Sequence, residues 1–187
     1  MIRWLLLFLG GVLLGGIVHL ATIIALPRTA TQDAYARLEP IAPVDTVVPV
    51  PAPTPEKALM PFMDPSFATA VCRYDLSQGP LRITVPVSPA YTAVSFYTRH
   101  DIAYYAINDR AAGRRTIQLD LMTAQQHSEM PEDENVTAAD RLIVESPTMT
   151  GLVAFRALAT EPGMMPMAQQ SVDAAKCARS SGATSQN

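Results

Sequence analysis

The stretch Leu81-Arg-Ile-Thr-Val-Pro-Val87 decides the fold of this chain, because apolar and polar residues alternate along it. Its apolar side chains share one face of an extended chain: Leu81, Ile83, Val85 and Val87. The opposite face carries Arg82 and Thr84, which is the pattern of a half-buried β-strand. Pro86 lacks a backbone donor and therefore indicates an edge strand or a strand end.

Segments of the same kind lie on both sides of this stretch and are separated by turn residues. They are residues 67–77, 91–99, 102–108 and 116–121, which are rich in β-branched, aromatic or alternating apolar residues. Five such strands in succession predict an antiparallel meander. Two further strands are predicted at 141–146 and 151–159.

Two helices are predicted in the second half of the chain. A short one near Thr123 to Glu129 precedes an acidic loop. A C-terminal helix over 165–180 would place four apolar residues on one side: Met165, Ala168, Val172 and Ala175. Together these patterns predict a mainly β fold, an antiparallel sheet or sandwich, with a C-terminal helix and one N-terminal transmembrane helix.

An unbroken apolar run, Trp4 to Leu26, lies near the N-terminus and is followed by Pro27 and Arg28. As a helix, about 23 residues at about 1.5 Å each extend roughly 35 Å, which is enough to cross a bilayer. The alternative is a cleaved signal peptide, which usually has a shorter apolar core. Because Arg28 precedes the one candidate cleavage segment, 29–31, we expect an uncleaved signal-anchor.

The segment between the anchor and the strands has a different composition. Residues 34–38 continue one apolar face and predict a short juxtamembrane helix that ends before Pro40. Prolines then recur at positions 40, 43, 49, 51, 53, 55, 61 and 65, a density that favours an extended polyproline II spacer. The predicted organisation is a signal-anchor at 1–28, a juxtamembrane helix and proline-rich linker at 29–65, a β-rich domain at 66–180 and a disordered tail at 181–187.

Charge and cysteine content restrict the location of the protein. The formal net charge of −3 argues against nucleic-acid binding and against a basic membrane-binding surface. The cysteines, Cys72 and Cys177, both follow the anchor, and an even pair in an exported domain favours one disulfide; the alternative is two free buried thiols. The positive charges that flank the anchor are nearly balanced. The cysteine pair and the usual behaviour of signal-anchors therefore indicate an inner-membrane protein with its C-terminal domain in the periplasm.

The anchor is patterned. Its small and polar residues are spaced by four, four and three, so they share one helix face: Gly11, Gly15, His19 and Thr22. Two glycines four apart allow close approach of a second membrane helix, and an ionisable residue in lipid usually has a partner. The alternative is that glycines are common in such helices and that His19 reaches headgroup water. We expect a partner among membrane proteins of the envelope.

Motifs for catalysis, metal binding or cofactor binding are missing from the sequence. His100 and Asp101 resemble half of an acid–base pair, but both are ordinary turn residues. The acidic cluster at 129–134 lacks the turn glycine of a calcium loop and is most simply a solvated loop. We therefore predict no catalytic residue, no metal and no cofactor, and lean towards a protein that is not an enzyme.

One polar loop is a candidate contact for a ligand or partner: Asn108, Asp109, Arg110, Arg114 and Arg115. Arginines at the end of a strand can bind a carboxylate, phosphate or sugar acid with two parallel hydrogen bonds. The alternative is a network within the domain and a solvated hairpin tip.

Several strings resemble the short membrane-anchored proteins of alphaproteobacteria that carry the DUF1254 domain. They are GIVHLATIIALP (16–27), DAYARL (33–38), CRYDLSQGP (72–80), AINDR (106–110) and the C-terminal AAKC (174–177). The resemblance implies a β-rich module, often encoded beside a protein with a companion DUF1214 domain. It implies no established catalytic residue, and therefore none is assigned here.

Three functions from different classes remain. The first is a non-enzymatic accessory or interaction protein of the cell envelope, with an envelope protein, such as a DUF1214-containing protein, as partner. The second is a binding module for an envelope carbohydrate or lipid headgroup, which would use Arg110 to Arg115. The third is an uncharacterised hydrolase or transferase, which would need a deep pocket with strongly shifted titratable groups.

Overall fold

A computed structural model describes residues 1–29, 33–113, 115–130 and 142–180. The predicted tail at 181–187, most of the acidic loop and Arg114 lie outside the described residues. The chain divides into two units, Met1–Asp33 and Ala34–Asn187.

The first unit is the helix α1, Ile2–Thr29. Within it, Ile2–Leu26 forms 25 residues with a mean hydropathy of 2.2, which is long and apolar enough to cross a membrane. By length and composition this segment could serve as a membrane anchor or as a signal sequence.

The described part of the second unit contains nine strands in two sheets. Their bounds are β1 Val47–Val50, β2 Phe67–Asp75, β3 Leu81–Pro86, β4 Thr92–Thr98, β5 Ala103–Asn108, β6 Thr116–Thr123, β7 Leu142–Ser146, β8 Thr150–Leu158 and β9 Lys176–Arg179. One sheet has the order β1-β2-β8-β4-β5 and is antiparallel; the other has the order β7-β6-β3-β9, and its β6–β7 pair is parallel. The predicted mainly β class is confirmed.

The predicted meander is wrong. Of the five strands it contained, now β2 to β6, the described structure pairs only β4 and β5 as chain neighbours. The late strand β8 inserts between β2 and β4, and β3 pairs with β6 and β9. Alternation along a strand indicates which face is buried and carries no information on which strand lies beside it.

In the described residues, four short α-helices accompany the sheets: α2 Ala34–Leu38, α3 Asp109–Ala112, α4 Ala124–Ser128 and α5 Met165–Asp173. The predicted helix near residue 123 is α4, and a reciprocal capping box between Thr123 and Gln126 fixes its start. The C-terminal helix α5 is shorter than predicted. Cys177 lies beyond it, in β9, because residues 176–179 instead pair with the open edge of β3.

One hydrophobic core is shared by both sheets and α5. Its largest fully buried side chains include Tyr74, Phe96, Phe155, Leu81, Ile83, Leu119 and Leu121. A second cluster lies on the other face of the five-stranded sheet: Leu38, Ala42, Val50, Val71 and Leu152. Burial on two faces explains why apolar residues occupy both faces of β2 and of β8.

Residues 34–63, which supply most of this second cluster, form a cover on the outer face of the five-stranded sheet. The predicted polyproline spacer is wrong for Val47–Val50, which pairs with β2 as the edge strand β1. Pro49 is compatible with this position because an edge strand leaves one side of its backbone unpaired. Proline density indicated an extended chain, which is confirmed for Val47–Val50, but it could not reveal that the chain packs on the domain.

Candidate functional site

The two cysteines form a disulfide. Cys72 of β2 and Cys177 of β9 are bonded, with their α-carbons 6.5 Å apart. Cys72 is fully buried and Cys177 is 6% exposed, so the bond lies between the two sheets. The predicted disulfide is confirmed, and the alternative of two free thiols is wrong.

The predicted interaction face of α1 keeps its helical spacing. Gly11, Gly15, His19 and Thr22 all lie within α1. The Thr22 hydroxyl donates to the carbonyl of Val18 at 2.8 Å, so its polar group is satisfied within the helix. A β-carbon built on either glycine meets no atom within 4 Å, which leaves the small-residue groove open. A partner for this face stays a prediction.

The polar loop after β5 is a capped helical turn. The Asn108 side chain accepts a hydrogen bond from the Ala111 amide at 3.0 Å, and the Asp109 carboxylate accepts one from the Thr92 amide at 3.3 Å. These two residues therefore have structural roles. Arg110 and Arg115 are exposed, and Arg114 lies outside the described residues. A ligand or partner at this loop stays a prediction.

A buried arginine connects the outer cover to the sheet. The guanidinium of Arg73, which is 6% exposed, donates to the backbone carbonyls of Glu39 and Ala42 at 3.3 and 3.2 Å. It also lies 4.4 Å from the ring centre of Tyr35, whose ring is 4.2 Å from the guanidinium of Arg99. The charge inside β2 thus stabilises the packing of the cover on the sheet.

A buried hydroxyl network joins the two sheets. The Tyr74 hydroxyl lies 2.9 Å from the Ser146 hydroxyl and 3.2 Å from the Tyr104 hydroxyl, and it donates to the Tyr97 carbonyl at 3.2 Å. Burial, followed by the nearby Tyr74, raises the pKa of Tyr104 above its usual value. A phenol held in its neutral form is a poor base, and these bonds fit a structural role.

A pocket that the sequence did not reveal lies on the outer face of the five-stranded sheet. Its volume is about 270 Å³, and it is lined by Met60, Pro61, Phe62, Met63, Asp64, Phe67, Thr69 and Arg156. Arg156 is the one exposed residue of β8, and no hydrogen bond or ion pair joins its guanidinium to another described residue. The signal available in the sequence was this arginine, which interrupts the apolar strand GLVAFRALA at 151–159.

Comparison with known proteins identifies the domain. The sequence model of the family described as "Protein of unknown function (DUF1254)" matches residues 44–179. No curated protein matches the chain.

Similar solved structures include two proteins that are longer than this chain. The VPA0106 protein of Vibrio parahaemolyticus aligns with a TM-score of 0.58 at 14% identity, over 79% of this chain and 34% of that one. An uncharacterized protein of Burkholderia cenocepacia aligns with a TM-score of 0.45 at 14% identity, over 68% of this chain and 34% of that one. The first likeness concerns the fold alone. The chain spans about a third of the length of the solved proteins it matches.

Proposed function

The chain belongs to the DUF1254 family, and on that premise we propose that it is a single-pass inner-membrane protein with a periplasmic β-domain. In this proposal it acts as a non-enzymatic accessory or interaction protein of the cell envelope. Its partner is another envelope protein, such as one that carries the companion DUF1214 domain.

The observation that carries this proposal is the disulfide between Cys72 and Cys177 in a domain that follows an apolar helix. Disulfides persist in oxidising compartments such as the periplasm and are rare in the cytosol. An N-terminal apolar segment of 25 residues supplies the means of export and, if uncleaved, of anchoring.

Two observations support a partner. The helix α1 presents an open groove at Gly11 and Gly15, with His19 on the same face. In addition, a similar fold forms part of a longer solved protein, the VPA0106 protein. This chain covers only 34% of that protein, so in VPA0106 the fold is joined to further polypeptide. Within the described residues, no cluster of three metal-ligating side chains suggests metal chemistry.

The location is tested with the full chain carrying alkaline phosphatase, which is active only when exported, at its C-terminus. We expect phosphatase activity in the membrane fraction and an N-terminal tag that remains attached to the fusion. Loss of the tag would indicate a cleaved signal sequence. An inactive phosphatase together with reduced cysteines would place the domain in the cytosol and refute the proposal.

The partner is tested by crosslinking and affinity purification from native membranes. We expect a specific partner that the variant Gly15→Leu/His19→Leu no longer captures. The matched control is Leu13→Ala/Ile17→Ala, which alters the opposite face of α1 and should retain the partner. Equal capture by all three proteins would show that this face of the helix is not the contact.

A further inference from the structure

The pocket beside Arg156 has the chemistry of a binding site. We infer that it binds a single-chain alkyl carboxylate, whose head group pairs with Arg156 and whose chain lies against Met60, Phe62, Met63 and Phe67. The pocket lies entirely within the second unit, so this inference does not depend on the membrane topology proposed above.

The fold leaves this part of the sheet uncovered. Residues 34–63 pack on Val71 and Leu152, on the outer face of β2 and β8. Further along the same face, Thr69 lies opposite Arg156, and Arg156 in turn lies opposite Ala93 of β4. Because Thr69 and Ala93 have short side chains, the longer side chain of Arg156 projects above both of them. It lies where the cover formed by residues 34–63 ends.

Arg156 is available for an anion. Three other arginines of the domain have carboxylate partners: Arg73 pairs with Glu39, Arg82 with Asp120, and Arg179 with Asp45. Arg156 makes no such pair with a described residue, although it lies on the middle strand of the sheet. A guanidinium on a rigid strand can hold a carboxylate with two parallel hydrogen bonds.

Apolar side chains form part of the remaining lining and can contact an alkyl chain. Met60 and Met63 are flexible side chains that adapt to the shape of an apolar ligand, and Phe67 is half-buried beside them. Phe62 is fully exposed, and its φ of 59° is one that bulky residues rarely adopt. Packing within the described domain does not account for this aromatic ring, whereas contact with a bound chain would.

Size and charge restrict the ligand. A volume of about 270 Å³ is slightly below the usual range of ligand pockets, about 300–1,000 Å³, so one short chain fits better than two. Asp64 is the anionic residue of the lining, and its carboxylate accepts a hydrogen bond from the Ser66 amide at 2.8 Å. Its negative charge disfavours a second anionic group, so a singly charged carboxylate is preferred over a doubly charged phosphate monoester.

The test is equilibrium dialysis of labelled octanoate against the full chain in nanodiscs of zwitterionic lipid, with empty nanodiscs subtracted. We expect saturable binding of one octanoate per chain. Arg156→Gln should weaken it at least tenfold, and Phe62→Ser should weaken it several-fold. Both positions are exposed, so the disulfide and the thermal midpoint of each variant should remain as in the wild type.

Two controls make the result specific. Arg110→Gln removes an exposed arginine outside the pocket and should leave binding unchanged. Asp64→Asn should preserve or strengthen binding. The inference is wrong if octanoate does not saturate, or if Arg156→Gln and Arg110→Gln behave alike. It is also wrong if Asp64→Asn weakens binding as much as Arg156→Gln does, because the pocket would then select a zwitterion.

Discussion

Cys72 in the five-stranded sheet and Cys177 in the four-stranded sheet are bonded across the core, which ties β9 to β2. The short strand β9 pairs with β3, and the covalent bond gives it a second attachment to the domain. The bond closes a sequence separation of 105 residues, so its loss should affect the whole domain.

Removing this disulfide should greatly destabilise the domain. For a loop of about 100 residues, the chain-entropy model predicts a loss of about 4 to 5 kcal/mol. We expect Cys72→Ala/Cys177→Ala to lower the free energy of unfolding in urea by that amount. Reductant should produce a similar loss in the wild type and no further loss in the variant. A difference below about 1 kcal/mol would show that the loop is already ordered in the unfolded state.

Gly151→Ala should be strongly destabilising. A β-carbon at this position would collide with the Tyr74 hydroxyl and with the backbone carbonyl of Tyr97. The hydroxyl belongs to a buried network and the carbonyl to the β4 ladder, so neither can move freely. We expect a loss of about 2 to 3 kcal/mol, as for overpacked cores.

The matched control for this substitution is Gly163→Ala, because an added β-carbon there meets nothing within 4 Å. Gly163→Ala should change the free energy of unfolding by less than about 1 kcal/mol. Equal thermal midpoints for the two variants would show that the Tyr74 side chain and the neighbouring strand β4 shift easily to accommodate a β-carbon at Gly151.

The strands were predictable and their arrangement was not. Alternation in Leu81 to Val87 located β3, because one buried face imposes a period of two, and apolar, β-branched or aromatic runs between turn residues located the other strands from β2 to β8. The pairing of β8 with both β2 and β4 depends on contacts that are distant in sequence, which a local pattern does not encode. For the same reason, a helix was predicted across Cys177, where pairing with β3 makes a strand.

The candidate sites also differ in whether the sequence alone could predict them. The disulfide could be predicted because two cysteines allow one pairing. The Arg156 pocket could not, since Met60 to Asp64 lies in a proline-rich segment that has no periodicity of its own. Only the packing of that segment on the sheet brings its side chains to an arginine that lies more than 90 residues later.

Asp75 should contribute to acid stability. Hydrogen bonds from the Ser77 amide, at 2.9 Å, and from the Ser77 side chain lower the pKa of Asp75, and the positive charge of Arg179 adds to this. Because the pKa is lower in the folded state, ionised Asp75 stabilises the fold at pH values above its unfolded-state pKa of about 3.9. This contribution is lost as the pH falls through the folded-state pKa. Asp75→Asn should therefore reduce the loss of stability below about pH 4.

The effect is measured as the free energy of unfolding in urea at a series of pH values from neutral to below about pH 4. The fall of this free energy at low pH is the acid limb of the profile. Asp75→Asn retains an oxygen that can accept the Ser77 amide, so stability at neutral pH should change by less than about 1 kcal/mol. An unchanged acid limb in Asp75→Asn would contradict a role for this cap.

Tyr104 should make the domain sensitive to alkaline pH. Burial raises the pKa of Tyr104 above its ordinary value, and the neighbouring Tyr74 hydroxyl raises it further. The folded state therefore holds the phenol neutral, while the unfolded chain ionises it near pH 10. The contribution of Tyr104 to stability is therefore fully present below about pH 10, and it is lost as the pH rises towards the folded-state pKa.

Tyr104→Phe removes this ionisable group. We expect a loss of about 0.5 to 1.5 kcal/mol at neutral pH, because the hydrogen bond to Tyr74 is removed. Above pH 10 the variant should lose stability less steeply than the wild type, so that the difference between them narrows. Tyr91→Phe is the matched control, and thermal unfolding monitored at several alkaline pH values measures both. Parallel pH profiles for the wild type and Tyr104→Phe would mean that Tyr104 ionises equally in the folded and unfolded states.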